Sequence, residues 1–81
     1  MNHVDIFQIV KKKILEILPE IPTDRITIDQ QLRALGANSI DRMEIITLVL
    51  EHLNLRIPLV EFGNCKNIQG LVDIMYRCQD A

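Results

Sequence analysis

The chain has 81 residues, 48% of them hydrophobic and only 4% aromatic, with no Trp, so it holds one small domain, 1–81, around an aliphatic core. Lys and Arg number 9 against 11 Asp and Glu, and the net charge of −2 falls wholly within residues 29–53, where Asp29, Asp41, Glu44 and Glu51 outnumber Arg33 and Arg42. Such a segment repels nucleic-acid phosphates and suits partners with basic docking surfaces, while no apolar run reaches the ~18 residues that span a membrane.

From Asp5 to Leu18 the apolar residues Ile6, Phe7, Ile9, Val10, Ile14, Leu15, Ile17 and Leu18 recur at helical spacing, which predicts an amphipathic helix ending at Pro19. Lys11-Lys12-Lys13 spreads around that helix as a solvated face rather than a binding patch. It also interrupts any signal-peptide pattern, so a cytoplasmic location is expected. Glu20 to Leu35 is too long for a free loop and reads as a packed crossover. Ile26, Ile28, Leu32 and Leu35 are expected to pin it to the core, with a turn of helix around Asp29–Leu35.

Gly36 then punctuates the chain, and Ser39–Leu53 reads as the second helix, with Asn38 as N-cap and Asp41 completing a capping-box-like pair. On a wheel of about 100° per residue, Met43, Ile46, Val49, Leu50 and Leu53 form the expected core face. Asp41, Glu44, Thr47, Glu51 and His52 lie opposite, with Ile40 and Leu48 among them. Exposed apolar residues framed by carboxylates suit a docking strip. Arg42 falls in the core arc and puts a cation in the first turn, the unfavourable end of the dipole. Its i±4 neighbours, Asn38 and Ile46, offer no ion pair, so a recognition role is expected of it.

Pro58 interrupts the chain before a short helix at Val60–Phe62. Asn67 caps a last helix, Ile68–Cys78, whose Gly70 costs roughly 1 kcal/mol relative to Ala and makes it dependent on packing. Met43 and Met75 are expected in the core, and Cys65 and Cys78 as small apolar fillers, since neither has a metal-ligand neighbour. His3 and His52 show no catalytic arrangement, and His52 suits the dipole at a helix end. The expected fold is all-α: a bundle of three longer helices and one short one, joined by a crossover.

Nothing in this pattern forms a catalytic centre: there is no ordered Ser-His-Asp set, no carboxylate pair in a pocket and no phosphate loop. Ser39 stands out instead. With Asn38 serving as cap, its hydroxyl is left free at the positive end of a helix dipole, at a loop–helix corner.

Gly36, Ser39, Ile40 and the acidic helix after them resemble the attachment site of acyl carrier proteins, and the resemblance covers essentially the whole chain. It implies a four-helix acyl-carrier-type bundle, a 4'-phosphopantetheine arm on Ser39, and carriage of an acyl thioester rather than catalysis. Asn38 departs from the Asp usual in the family, which removes a charge that a generic fatty-acid partner would meet. The string Gly36-Ala37-Asn38-Ser39-Ile40-Asp41-Arg42 is similar, at six fixed positions, to free-standing donor carriers of polyketide beta-branching cassettes.

That narrower resemblance implies a monomer loaded by a phosphopantetheinyl transferase and an acyltransferase. A decarboxylating ketosynthase would convert its malonyl cargo to acetyl, and an HMG-CoA synthase-like enzyme would receive it. Asn38, Ile40, Asp41, Arg42, Glu44 and Leu48 are the expected partner-recognition residues. The rival readings are a carrier for fatty-acid or amino-acid substrates, and a helical interaction module in which Ser39 only caps.

Overall fold

The first apolar stretch becomes α1, His3–Ile17, which begins two residues before the predicted Asp5 because Asn2 caps it: the Asn2 side chain accepts from the Asp5 N–H at 2.8 Å. At the other end the Leu18 N–H returns to the Ile14 carbonyl and Pro19 prevents continuation. In this computed structural model, which describes residues 1–79, α1 is followed by α2, Ser39–Leu53, and α3, Ile68–Cys78. Short 3₁₀ turns lie at Thr23–Arg25, Arg33–Leu35 and Leu59–Phe62. No strand occurs among the described residues, and no helix there is long and apolar enough to cross a membrane. The all-α reading is therefore borne out, its short fourth helix taking the form of the turn at 59–62.

Helix α1 sits at the centre. Ile6, Val10 and Ile14 are completely buried along one face, and α1 packs against both α2 and α3. Helices α2 and α3 make no comparably extensive contact with each other, and α3 instead meets the turn at 59–62. Two helices resting on a third in this way leave a cleft between them, beside the start of α2.

The crossover is pinned mostly as expected: Ile26, Leu32 and Leu35 are buried. Ile28 is a correction, since its side chain is 38% exposed. What holds that stretch is backbone: the Ile68 N–H donates to the Gln30 carbonyl at 2.9 Å and the Gln69 N–H to the Ile28 carbonyl at 2.8 Å. These bonds satisfy two of the orphan amides at the start of α3, while Asn67 caps a third through the Gly70 N–H. Gly70 packs against Cys65, close enough that an added Cβ would touch the thiol, so the packing that compensates its low helix propensity is present.

The phase of α2 differs from the wheel. Met43, expected in the core, is 53% exposed, whereas Ile45 is fully buried with Val49, and Ile46 and Leu50 nearly so. The buried arc is thus rotated toward residues 42, 45 and 49. Apolar residues occur nearly all round this helix, so periodicity left its rotation open and the docking against α1 decided it. Leu48, placed outside, is half-buried, and Leu53 is half-buried against the core.

His3, which the sequence leaves without a carboxylate neighbour, is brought to Asp73 by the fold: Nε2 lies 3.4 Å from the carboxylate and the ring stacks on Tyr76. Both groups are near half exposed, and the contact ties the start of α1 to α3. Cys65 and Cys78 are free, half-buried and packed on the core, as expected of fillers.

Candidate functional site

Three local features shape the corner before α2. Gly36 adopts φ +99°, a left-handed conformation that side-chain-bearing residues adopt only at a cost, and its N–H closes the preceding turn on the Arg33 carbonyl. Ala37 is then buried, with its N–H on the Leu32 carbonyl at 3.1 Å. Asn38 opens α2 through a complete capping box: its side chain accepts from the Asp41 N–H at 2.8 Å, and its own N–H donates to the Asp41 carboxylate at 3.3 Å. Chain reversal, anchoring and capping are thereby assigned to Gly36, Ala37 and Asn38 in turn.

Ser39 follows as the first helical residue. It is exposed, and its hydroxyl makes no hydrogen bond among the described residues. The amides of the first turn and the helix dipole favour negative charge beside it. A primary hydroxyl that is solvent-facing, unpartnered and next to a positive helix end fits a phosphodiester linkage to a prosthetic arm. The open space beside Gly36, where an added Cβ would meet nothing within 4 Å, leaves the approach clear.

Arg42 has a structural reason that helix rules did not supply. Its Nη1 donates to the Ala37 carbonyl at 3.1 Å, so the guanidinium folds back under the glycine corner and braces it. The side chain is half-buried and occupies the centre of the inward arc in the first turn, where the bundle ends and its charged head reaches the cleft.

The other expected recognition residues divide by face. Ile40, 72% exposed, Glu44, exposed, and Leu48, half-buried, follow one another at i, i+4 and i+8 along one stripe that faces outward at its Ser39 end. Met43 extends that stripe on the side nearer Ser39, an exposed apolar position that the wheel assigned to the core. Asn38 is exposed and Asp41 half-buried, and both side chains are engaged in the cap.

Behind the corner lies the cleft between α2 and α3, with a volume near 350 Å³. Leu32, Ile46, Phe62 and Leu71 supply apolar surface, and Arg33, Arg42 and Lys66 supply charge. Cys65 is the one thiol in its wall, and burial pushes that thiol's pKa above the ordinary cysteine value, against a smaller opposing effect from Arg77. It therefore stays protonated near neutrality and is a poor nucleophile toward a thioester. Arg33 and Lys66 were missed from sequence because they come from separate connections; Arg33 stood out only as a cation inside the acidic segment 29–53, and Lys66, outside that segment, carried no signal. Among the described residues no group of His, Cys, Asp and Glu could hold a metal.

Residues 8–75 match the family described as the phosphopantetheine attachment site. The chain is also similar to the "Polyketide biosynthesis acyl-carrier-protein AcpK" of Bacillus subtilis (strain 168), with 45% identity over 76 residues that cover 94% of this chain and 93% of that protein. No solved structure matches.

Proposed function

The chain belongs to the phosphopantetheine-bearing acyl carrier family, whose members carry and do not catalyse, and from that premise we propose that it is the free-standing donor carrier of a polyketide beta-branching cassette. The observation that carries the reading is Ser39: exposed, its hydroxyl without a hydrogen-bond partner among the described residues, and relieved of capping by Asn38. In this reading Ser39 is the attachment residue. The arm supplies a flexible tether ending in a thiol that holds an acyl group as a thioester. The chain's own residues present the hydroxyl, keep the corner rigid and offer a docking stripe.

The similarity to a polyketide carrier and the Gly-Ala-Asn-Ser-Ile-Asp-Arg string around Ser39 support the beta-branching assignment. The partners are then a phosphopantetheinyl transferase, an acyltransferase, a decarboxylating ketosynthase and an HMG-CoA synthase-like acceptor of acetyl, all in the cytoplasm. Ile40, Glu44 and Leu48 meet them along the stripe, with Met43 added to it. Asn38, Asp41 and Arg42 shape the corner that those enzymes read. Asn in place of the usual Asp at the cap turns the reading away from a generic fatty-acid carrier.

The test is intact mass after treatment with a promiscuous transferase and coenzyme A. Wild type gains one arm and Ser39→Ala gains none, while both keep the same helical circular dichroism. An arm on the alanine variant refutes the site. Single-turnover acetyl transfer to an HMG-CoA synthase-like enzyme, compared with transfer to a fatty-acid elongating ketosynthase, decides the pathway; preference for the latter refutes the beta-branching assignment.

A further inference from the structure

The cleft between α2 and α3 has an unusual charge for this chain. Arg33, Arg42 and Lys66 all line it and no carboxylate does. Among the described residues none of the three lies within ion-pair distance of an acid, the ion pairs being His3–Asp73 and Lys13–Glu16. In a protein of net charge −2, three unneutralised cations around one concavity are a local inversion of the overall balance. Arg42 spends one guanidinium nitrogen on the Ala37 carbonyl, and its remaining donors are uncommitted.

We propose that this cleft is a carboxylate site for the free end of a short dicarboxylic acyl group carried on Ser39, an inference that rests on Ser39 being the attachment point. Size suits a short chain. A volume near 350 Å³ is room for roughly a dozen waters at ~30 Å³ each, the lower end of small-ligand pockets. Apolar surface with cations at the rim matches a ligand of a few methylenes ending in an anion, whereas a long alkyl chain gains nothing from the charge. Position sets the source. Arg42 stands one helical turn from Ser39, with Cβ atoms at this spacing about 5–6 Å apart, and it lines the cleft, so the cleft is within reach of a group carried on a flexible arm at Ser39. The protonated Cys65 thiol in the wall leaves a thioester cargo unchallenged.

The physical consequence is selective retention. A carboxylate in the cleft meets guanidinium forks suited to it, while a cargo that has lost its carboxylate loses that hold. The carrier thus binds a malonyl-type group against itself and presents the decarboxylated acyl group freely.

The experiment uses the intact chain loaded by a promiscuous transferase from coenzyme A or its acetyl, malonyl or succinyl thioester, each product verified by mass. Amide shifts of Leu32, Lys66 and Leu71 are read by heteronuclear NMR, and the pKa of a ¹³C-labelled cargo carboxylate is followed by titration. Malonyl and succinyl forms are expected to shift those amides, with the acetyl form and the unacylated arm unchanged. The cargo carboxylate titrates at least about half a unit below the same thioester on free pantetheine. Arg33→Gln with Lys66→Gln abolishes both effects, and Lys12→Gln, an exposed cation on α1, abolishes neither.

Equal shifts from acetyl and malonyl forms overturn the proposal. So do shifts already complete with the unacylated arm, which would assign the cations to its phosphate, or equal shifts from free malonate at the same concentration. Absence of any mass gain is a different failure: it removes the Ser39 reading, and this inference with it.

Discussion

Replacing Arg42 by Met tests whether the guanidinium braces the glycine corner. Met keeps most of the apolar stem and removes the donors, so the change isolates the Nη1 bond to the Ala37 carbonyl at 3.1 Å. A hydrogen bond from a charged donor contributes about 1.5–3 kcal/mol. The side chain is only half-buried, so water recovers part of that loss, and about 1–2 kcal/mol is the expected cost. A domain of 81 residues is stable by roughly 4–12 kcal/mol at ~0.05–0.15 kcal/mol per residue, so the loss is a measurable fraction. In thermal unfolding it corresponds to a fall of roughly 4–16 °C. Urea denaturation should show a lower midpoint with an unchanged slope, and Arg42→Lys, with one ammonium in place of the fork, should fall between. A wild-type midpoint for Arg42→Met would refute the bracing role and leave Arg42 to partner recognition alone.

Two further outcomes are expected. Ile45→Ala should destabilise by about 2–5 kcal/mol, because Ile45 is wholly buried and its loss leaves a cavity, while Met43→Ala, 53% exposed, should cost under ~1 kcal/mol; the reverse order in chemical denaturation would mean that α2 is rotated back toward the wheel drawn from sequence. In a Cys78→Ser background, Cys65 should react with iodoacetamide more slowly at pH 8 than a cysteine in the urea-unfolded chain, since burial raises its pKa and lowers the thiolate fraction at that pH; equal rates after correction for urea would contradict that environment.

Local chemistry is legible wherever it depends on neighbours a few residues apart. Asn38, Asp41 and Asn67 announce the starts of α2 and α3 because a capping side chain needs only the amides two or three positions ahead. Gly36 marks the left-handed corner for the same reason, and with it the place of Ser39. The extent of α2, Ser39–Leu53, follows from its cap and its apolar run. Rotation of α2 was not legible: with Ile40, Met43, Ile45 and Leu48 distributed around it, several faces could be buried, and only docking against α1 selected Ile45 and released Met43. Arg42 shows the same boundary. Helix rules consider partners three and four residues away on the same helix, and its partner is a carbonyl five residues back in a non-helical corner. The cationic cleft belongs to tertiary structure altogether, since Arg33, Arg42 and Lys66 meet only because α2 and α3 lean on α1 rather than on each other. Caps, turns and apolar periodicity are short-range and readable in one dimension; which face is buried, and which distant charges share a concavity, are decided by how whole helices pack.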